Sequence, residues 1–201
     1  MMKRNDIFEQ LSSKEALEHL KEGNKRYLQS QPSGKASAEI RAGLALKGQV
    51  PFAVILGCSD SRVVPEVIFD VGIGELFVVR TAGNVADKVA IGSIEFAVEF
   101  LKARLIVVLG HEECAAVLAA IAGGDYGSNM AAVISLIKPA VDKVRTEGKV
   151  DDFSRRCEDE HIKNTAERLK ESAVLSKYLA EGTLLIAGAK YGLETGKVSF
   201  F

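Results

Sequence analysis

Residues 104–110 read RLIVVLG, a continuous apolar run with a glycine at its end. Such a run is typical of a strand buried on both faces, as in a parallel sheet. Three more segments share this character: FAVILG at 52–57, LFVVR at 76–80 and TLLIAGA at 183–189. Between the runs lie segments with apolar residues at helical spacing, at 91–101, 130–144 and 159–180. Strands that alternate with helices predict an α/β fold, with a mostly parallel β-sheet flanked by helices.

The segment before the first strand has a different character. Residues 13–28 read SKEALEHLKEGNKRYL, with apolar residues at helical spacing and Ser12 or Ser13 as the candidate cap. Residues 30–37 have the composition of a loop or linker. Because the helical segment is too short to form a hydrophobic core by itself, we expect residues 1–36 to form an N-terminal helical arm. Residues 37–201 are then a single α/β domain.

Composition and charge exclude several classes of partner. The chain has 201 residues, 47% of them apolar, and a formal net charge of −1. The net charge is not the strongly positive one that is typical of proteins that bind nucleic acid or anionic membranes. A small neutral or singly charged substrate fits this charge better than a polyanion does. The apolar runs are far too short to span a bilayer, and the first ten residues do not read as a secretory signal. We therefore expect a cytoplasmic protein with no nucleic-acid or membrane partner.

Two potential metal ligands follow two of the predicted strands. Cys58 comes directly after FAVILG, and His111 directly after RLIVVLG. Ligands of open α/β sheets bind beyond the carboxyl ends of the strands, so both side chains belong to the edge where a site is expected. Cys114 lies three residues after His111, and a helix starting near Glu112 would place both on one side of its first turn. Cys, His and Cys suit Zn²⁺, and three protein ligands leave the open fourth position of a catalytic zinc site.

Asp60 and Arg62 stand next to the first of these cysteines. They are two residues apart, so in an extended segment they point the same way. An exposed ion pair of this kind contributes little to stability. Beside a metal, Arg62 would keep Asp60 ionised, and Asp60 would accept a hydrogen bond from water at the open position. The alternative is that Asp60 itself becomes the fourth ligand and closes the site.

The third cysteine lies in a charged segment. Three cysteines are a poor disulfide framework, because the number is odd and the spacing uneven. Cys157 is part of RRCEDEH, at 155–161, and we expect an ordinary surface or half-buried thiol there. His161 follows it by four residues, so a second metal-binding pair is the less favoured alternative.

The paired segments CSDSRVVPE (58–66) and GHEEC (110–114) resemble the β-class carbonic anhydrase family. The likeness continues through the central stretch that begins VVRTAGN at residue 78 and through AGAKYGLETGKVSF at 187–200. The resemblance implies a Zn²⁺ cofactor on Cys58, His111 and Cys114. It implies a mostly parallel α/β sheet, with an N-terminal arm that reaches onto a partner in a homodimer or homotetramer.

The resemblance also implies roles for residues around the metal. Asp60 and Arg62 correspond to the family's catalytic dyad at the fourth position. Gln49 corresponds to a glutamine whose side-chain amide contacts bound substrate or bicarbonate. Gly83 corresponds to a loop residue whose backbone helps to line the pocket.

The implied activity is the reversible hydration of CO₂ to bicarbonate and a proton, a lyase reaction. Two alternatives keep the same zinc ligands. In one, the chain hydrolyses carbon disulfide or carbonyl sulfide, as relatives of this family do. In the other, zinc is held by four ligands, Asp60 included, and the protein is not an enzyme.

Overall fold

The computed structural model describes residues 11–31, 33, 37–149 and 151–201. Its strands are β1 (Ala53–Cys58), β2 (Leu76–Thr81), β3 (Leu105–His111), β4 (Leu185–Tyr191) and β5 (Val198–Phe200). The α-helices of the described residues are α1 (Ser13–Leu28), α2 (Ala38–Lys47), α3 (Pro65–Ile68), α4 (Lys88–Phe100), α5 (Ala115–Ala122), α6 (Gly127–Thr146), α7 (Phe153–Lys170) and α8 (Ala173–Ala180). A short 3-10 turn, Ala82–Asn84, follows β2. The four predicted strand runs are thus confirmed, with β4 displaced by two residues.

The strands form one sheet in the order β2-β1-β3-β4-β5. β1 pairs in parallel with both β2 and β3, β3 pairs in parallel with β4, and β5 is antiparallel at the edge. The prediction of an α/β fold with a mostly parallel sheet is confirmed. In this strand order the chain reverses direction across the sheet between β1 and β3, which makes their carboxyl ends the expected place for a ligand.

Alternate residues of the central strands enter two different cores. Ile55 and Val107 belong to the cluster that includes α1 and α3, while Leu56 and Val108 belong to the cluster with α4 and α7. Both central strands are buried along their whole length, because helices cover both faces of the sheet. This explains why their sequences are continuous apolar runs rather than alternating ones.

Helix α1 packs against the body of the protein. Ser12 caps it in a capping box with Glu15, which selects between the two candidate caps. Leu20 is fully buried in the core beside the sheet. Asn24 donates hydrogen bonds to the Ile68 carbonyl at 3.1 Å and to the Gly196 carbonyl at 3.0 Å. The predicted arm therefore shares a core with the α/β domain as far as Tyr27. The division at residue 36 stays a prediction, because residues 1–10, 32 and 34–36 lie outside the described part.

The helices differ from the sequence prediction in several places, and the short helix α3 was not predicted. The periodic stretch 159–180 is two helices, because Ser172 accepts a hydrogen bond from the Leu175 amide and caps the start of α8. Helix α2 was not predicted, and none of its ten described residues is buried. The helix expected to begin near Glu112 begins at residue 115.

Helices α5 and α6 meet at 94°. In the described part of the chain no single helix is long and apolar enough to cross a bilayer, although this bent pair together meets the length and composition criteria.

Candidate metal centre

The ends of two neighbouring strands bring the three predicted metal ligands together. Cys58 is the last residue of β1 and His111 the last of β3. Cys114 follows a turn in which Glu113 has a positive φ of 54°, and it is the N-cap of α5. The two sulfurs and a ring nitrogen of His111 all lie within 4.8 Å of one another, and all three residues are buried. The sequence prediction of one cluster is matched, although Cys114 sits at the helix cap rather than inside a first turn.

The hydrogen bonds of His111 leave one ring nitrogen free for a metal. Nδ1 lies 2.7 Å from the Glu112 carbonyl oxygen, which can only accept, so Nδ1 carries the proton. Nε2 is buried and has no hydrogen-bond partner among the described residues. A buried nitrogen lone pair beside two thiols is the arrangement that a tetrahedral zinc ion requires. The donor set therefore fits zinc.

The two cysteines of the cluster shift each other's pKa in opposite directions. The hydrogen bond from Cys114 holds the pKa of the Cys58 thiol far below its ordinary value, although burial opposes the shift. The same contact with Cys58, together with burial, raises the pKa of the Cys114 thiol. Two thiols in contact cannot easily both ionise without a cation between them. A divalent ion would supply the charge that allows both to bind as thiolates.

Asp60 and Arg62 form a bidentate pair at the mouth of this cluster. Arg62 Nε donates to Asp60 Oδ1 at 2.9 Å, and Nη2 donates to Oδ2 at 2.7 Å. The Arg62 backbone N–H also donates to Oδ1 at 2.9 Å. The hydrogen bonds from Arg62 hold the pKa of Asp60 well below its usual range. Asp60 Oδ2 lies 3.9 Å from His111 Nε2, so the ionised carboxylate faces the cluster without belonging to it.

Gly83 lies in the 3-10 turn and touches Cys58 through its backbone. Its N–H donates to Cys58 Sγ at 3.3 Å. It has a φ of +66°, and a Cβ there would approach Ile137 Cδ1 to 2.8 Å and Ala116 Cβ to 2.9 Å. Only glycine fits this position without strain. The structure thus places this predicted residue at the site.

Gln49 is not brought to the cluster within one chain. It is exposed and precedes β1, whereas Cys58 ends that strand. The Val50 amide bonds to the Gly74 carbonyl, so the chain is still extending away from the cluster there. Strand β1 alone separates the two ends by roughly 17 Å at the usual rise per residue. Within its own chain, Gln49 therefore lies at the far end of β1 from the cluster.

Three side-chain contacts near the site were not predicted. Arg80 donates to the carbonyls of Cys58 at 2.9 Å and Asp60 at 2.6 Å, and so fixes the segment that carries both. Glu158 Oε1 accepts the Cys114 N–H at 3.4 Å. His161 Nε2 donates to the Gly83 carbonyl at 2.7 Å. These contacts link residues far apart in sequence, and a single sequence carries no signal that would reveal them.

Helix α7 also corrects the expectation for the third cysteine. Cys157 is fully buried rather than a surface or half-buried thiol, because it packs against the α5 and α6 helices. Burial raises the pKa of Cys157 to about 11. The nitrogen Nε2 of His161 is already bonded to Gly83, so this contact gives no support to a second metal-binding pair.

The Cys–His–Cys cluster lies at the carboxyl ends of β1 and β3, where the chain reverses direction across the sheet. This arrangement is typical of a metal-binding α/β protein with three protein ligands. A family model described as carbonic anhydrase matches residues 53–198. Carbonic anhydrase 2 of Mycobacterium tuberculosis is 45% identical over 186 residues, which cover 89% of this chain and 87% of that protein. The chain therefore belongs to the β-class carbonic anhydrase family, as the sequence resemblance predicted.

Solved structures agree with this assignment. The β-carbonic anhydrase CafA of Aspergillus fumigatus is similar with a TM-score of 0.75 and 26% identity, covering 92% of this chain and 88% of that one. A tetrameric β-carbonic anhydrase from Sordaria macrospora shares the fold with a TM-score of 0.73 at 24% identity, covering 81% of this chain and 86% of that one.

Proposed function

We propose that this protein catalyses the zinc-dependent, reversible hydration of CO₂ to bicarbonate and a proton. One observation carries the proposal: a buried Cys58–His111–Cys114 cluster with an ionised Asp60 whose Oδ2 stands 3.9 Å from the free nitrogen of His111. Three protein ligands leave a fourth position, and the acceptor that this chemistry needs stands beside it. The similarity to carbonic anhydrase 2 of Mycobacterium tuberculosis supports the same reaction.

Zn²⁺ is the proposed cofactor, and the thiolates of Cys58 and Cys114 and Nε2 of His111 would hold it. When bound, it supplies a Lewis acid that makes water a nucleophile near neutral pH. The Gly83 N–H donates to Cys58 Sγ at 3.3 Å and would stabilise its thiolate. The Glu112 carbonyl holds the His111 ring in the tautomer that exposes Nε2.

Asp60 and Arg62 are the proposed catalytic pair. Arg62 occupies the outer sides of the Asp60 carboxylate with two hydrogen bonds and keeps it ionised. Asp60 then accepts a hydrogen bond from the attacking water, which turns a lone pair of that water toward the carbon of CO₂. Because Arg62 binds both carboxylate oxygens, the arrangement favours an open site over one in which Asp60 is the fourth ligand. The released proton passes to solvent or buffer.

The working unit is proposed to be a homodimer or a homotetramer. Gln49 lies at the opposite end of β1 from Cys58 in its own chain, so its amide reaches substrate only from a second copy. The related β-carbonic anhydrase from Sordaria macrospora is tetrameric. The proposed location is the cytoplasm, where the three free thiols would stay reduced.

Stopped-flow CO₂ hydration tests the proposal, with zinc content measured on the same samples of wild type and Asp60→Ala. We expect one zinc per chain in both proteins, fast hydration by the wild type, and a loss of roughly a hundredfold or more in the variant. Asp142→Ala is the matched control, because in the described part of the chain the ion pairs of Asp142 are with Lys138 and Arg145, both exposed on α6. It should hydrate CO₂ like the wild type.

The alternatives are outcomes of the same experiment. Zinc-loaded wild type that hydrates CO₂ only at the background rate contradicts the proposal. Hydrolysis of carbon disulfide or carbonyl sulfide by that sample would then identify the other substrate class. A cobalt-substituted sample with a four-ligand spectrum that does not respond to added anions would identify a closed, non-catalytic site.

A further inference from the structure

Helix α7 places a buried histidine behind the metal cluster. His161 is 1% exposed, and its Nε2 lies 2.7 Å from the Gly83 carbonyl oxygen. Since a carbonyl only accepts, Nε2 carries the proton and donates it. Burial lowers the pKa of His161, so the ring is neutral. His161 is therefore a fixed donor aimed at one backbone carbonyl.

The carbonyl that His161 holds belongs to the residue that contacts Cys58. The Gly83 N–H donates to Cys58 Sγ at 3.3 Å. The turn around Gly83 is pressed between Ile137 of α6 and Ala116 of α5, where even one added carbon would collide. His161 adds a hydrogen bond to the Gly83 carbonyl of the same turn. An N–H bond to a ligand sulfur changes the charge that the sulfur can donate, so its geometry matters to the metal.

We propose that His161 is a positioning residue for the zinc site, which sets zinc affinity and Cys58 donor strength by holding the Gly83 N–H against Sγ. The proposal rests on the zinc function proposed above. It deepens that function, because it adds a residue of the distant helix α7 to a site otherwise built from the strand ends.

A second contact from the same helix acts on the other cysteine. Glu158 is three residues before His161 and so lies on the same helical face. Its Oε1 accepts the Cys114 N–H at 3.4 Å, and its other oxygen lies 2.7 Å from Lys190 Nζ. One face of α7 thus holds the backbone beside Cys58 and at Cys114, which supports a positioning role for the helix rather than packing alone.

Two substitutions distinguish a positioning role of the His161 side chain from a packing role. His161→Phe keeps a ring in the buried space but removes the donor. His161→Gln removes the ring but places an amide N–H at a similar distance from the backbone as Nε2. A packing role predicts that Phe is tolerated better than Gln. The proposed role predicts the reverse order.

Zinc affinity, measured by competition with a chromogenic chelator, is the first readout. We expect His161→Phe to bind zinc roughly 10–100-fold more weakly than the wild type, the usual cost of losing a hydrogen bond behind a metal ligand. His161→Gln should lie much closer to the wild type. The sulfur-to-metal charge-transfer absorption of the cobalt-substituted proteins is the second readout, and it should shift in the Phe variant and be restored in the Gln variant.

Cys157→Ala is the matched control, because it damages packing one turn earlier on the same helix. It should lower the thermal stability while leaving zinc affinity and the cobalt spectrum unchanged. If His161→Phe does not fold, His161→Asn replaces it, since the shorter amide does not reach Gly83. Wild-type affinity in the donor-free variant, or equal losses in the Phe and Gln variants, would overturn the proposal. Wild-type protein that binds no zinc would instead overturn the proposed function.

Discussion

At the carboxyl edge of the sheet, Cys58 and His111 are buried and bonded on several sides, whereas at the amino edge Gln49 and helix α2 lie exposed. The carboxyl edge collects backbone and side-chain contacts from β2, α5 and α7 around one small cluster. On the other side, Leu46 of α2 is 91% exposed, and Phe100 at the end of α4 is 69% exposed.

The difference between the two edges indicates which parts of the active site a single chain supplies. The metal cluster is self-contained, because each of its ligands already has its supporting contacts within the same chain. The amino edge presents apolar side chains and a glutamine to solvent, as surfaces that bind another protein do. We infer that the amino edge of one copy completes the carboxyl edge of another.

The largest effect is expected from Cys114→Ser, which removes one of the three proposed zinc ligands at the carboxyl edge of the sheet. Cys114 is the N-cap of α5 and makes no capping bond with its side chain. Serine is a preferred N-cap, so the helix should be kept while the soft ligand is lost. We expect zinc affinity to fall roughly 100- to 1,000-fold, about the share of one ligand in a typical site. Zinc per chain after dialysis against a chelator measures the loss.

Cys157→Ala is the control for this substitution, since it removes a buried thiol that does not belong to the Cys58–His111–Cys114 group. It should keep its zinc under the same dialysis. A Cys114→Ser protein that retains one zinc per chain would show that this sulfur is not a ligand.

Gly83→Ala tests how closely the carboxyl edge is packed. The added Cβ would stand 2.8 Å from Ile137 and 2.9 Å from Ala116, at a φ of +66°. Strain at positive φ and overpacking together should cost about 2–5 kcal/mol of unfolding free energy. Gly92→Ala on α4 is the control, because nothing lies within 4 Å of its Cβ, and it should be neutral or stabilising. Urea unfolding compares the two, and equal stabilities would contradict the close packing.

The sequence predicted the carboxyl edge better than the amino edge, for physical reasons. Strands buried on both faces must be apolar throughout, so β1 and β3 were visible as runs, and Cys58 and His111 stood at their ends. Helix α2 has no buried face and therefore no apolar stripe to find. The contacts of His161 and Arg80 depend on which distant backbone carbonyl comes close, and that is decided only by the packed fold. The antiparallel pairing of β5 is decided in the same way.

Gln49 offers the sharpest test of the link between the two edges. Gln49→Ala alone should lower CO₂ hydration by roughly 100-fold, as expected for the loss of one hydrogen-bond donor to the reacting group. Chains carrying Gln49→Ala are then co-expressed with chains carrying Cys114→Ser. If Gln49 serves a partner's site, a mixed dimer contains one complete site, and random pairing in a symmetric dimer restores about a quarter of wild-type activity.

The two variants purified separately and combined without exchange of subunits are the control, and they should stay at the sum of their own low activities. If Gln49 serves its own chain, no mixed dimer has a complete site, and co-expression restores nothing. That result would contradict the inferred relation between the amino and carboxyl edges.

The smallest effect is expected from Asp70→Asn, which loosens the arm beside the amino edge. Asp70 accepts a hydrogen bond from Arg26 Nε of α1 at 2.6 Å and one from the Ser33 amide at 2.8 Å. Asparagine keeps the shape and tolerates the positive φ of 43° at this position. Because Arg26 is partly exposed, we expect a loss of only about 1–2 kcal/mol at neutral pH. Asp142→Asn, in an exposed pair with Lys138, should cost less than about 0.5 kcal/mol.

The pH dependence of this loss distinguishes a charged contact from a change of shape. Burial raises the pKa of Asp70, but the bonds from Arg26 and Ser33 outweigh it, so the folded-state pKa is lowered. Below about pH 4 the unfolded chain binds a proton at this carboxylate that the folded protein does not, so the stabilisation present at higher pH is lost as the pH falls. The stability difference between wild type and Asp70→Asn should therefore shrink below about pH 4 in urea unfolding. A difference that stays constant down to pH 3 would mean that the ionised carboxylate does not hold the arm against the sheet.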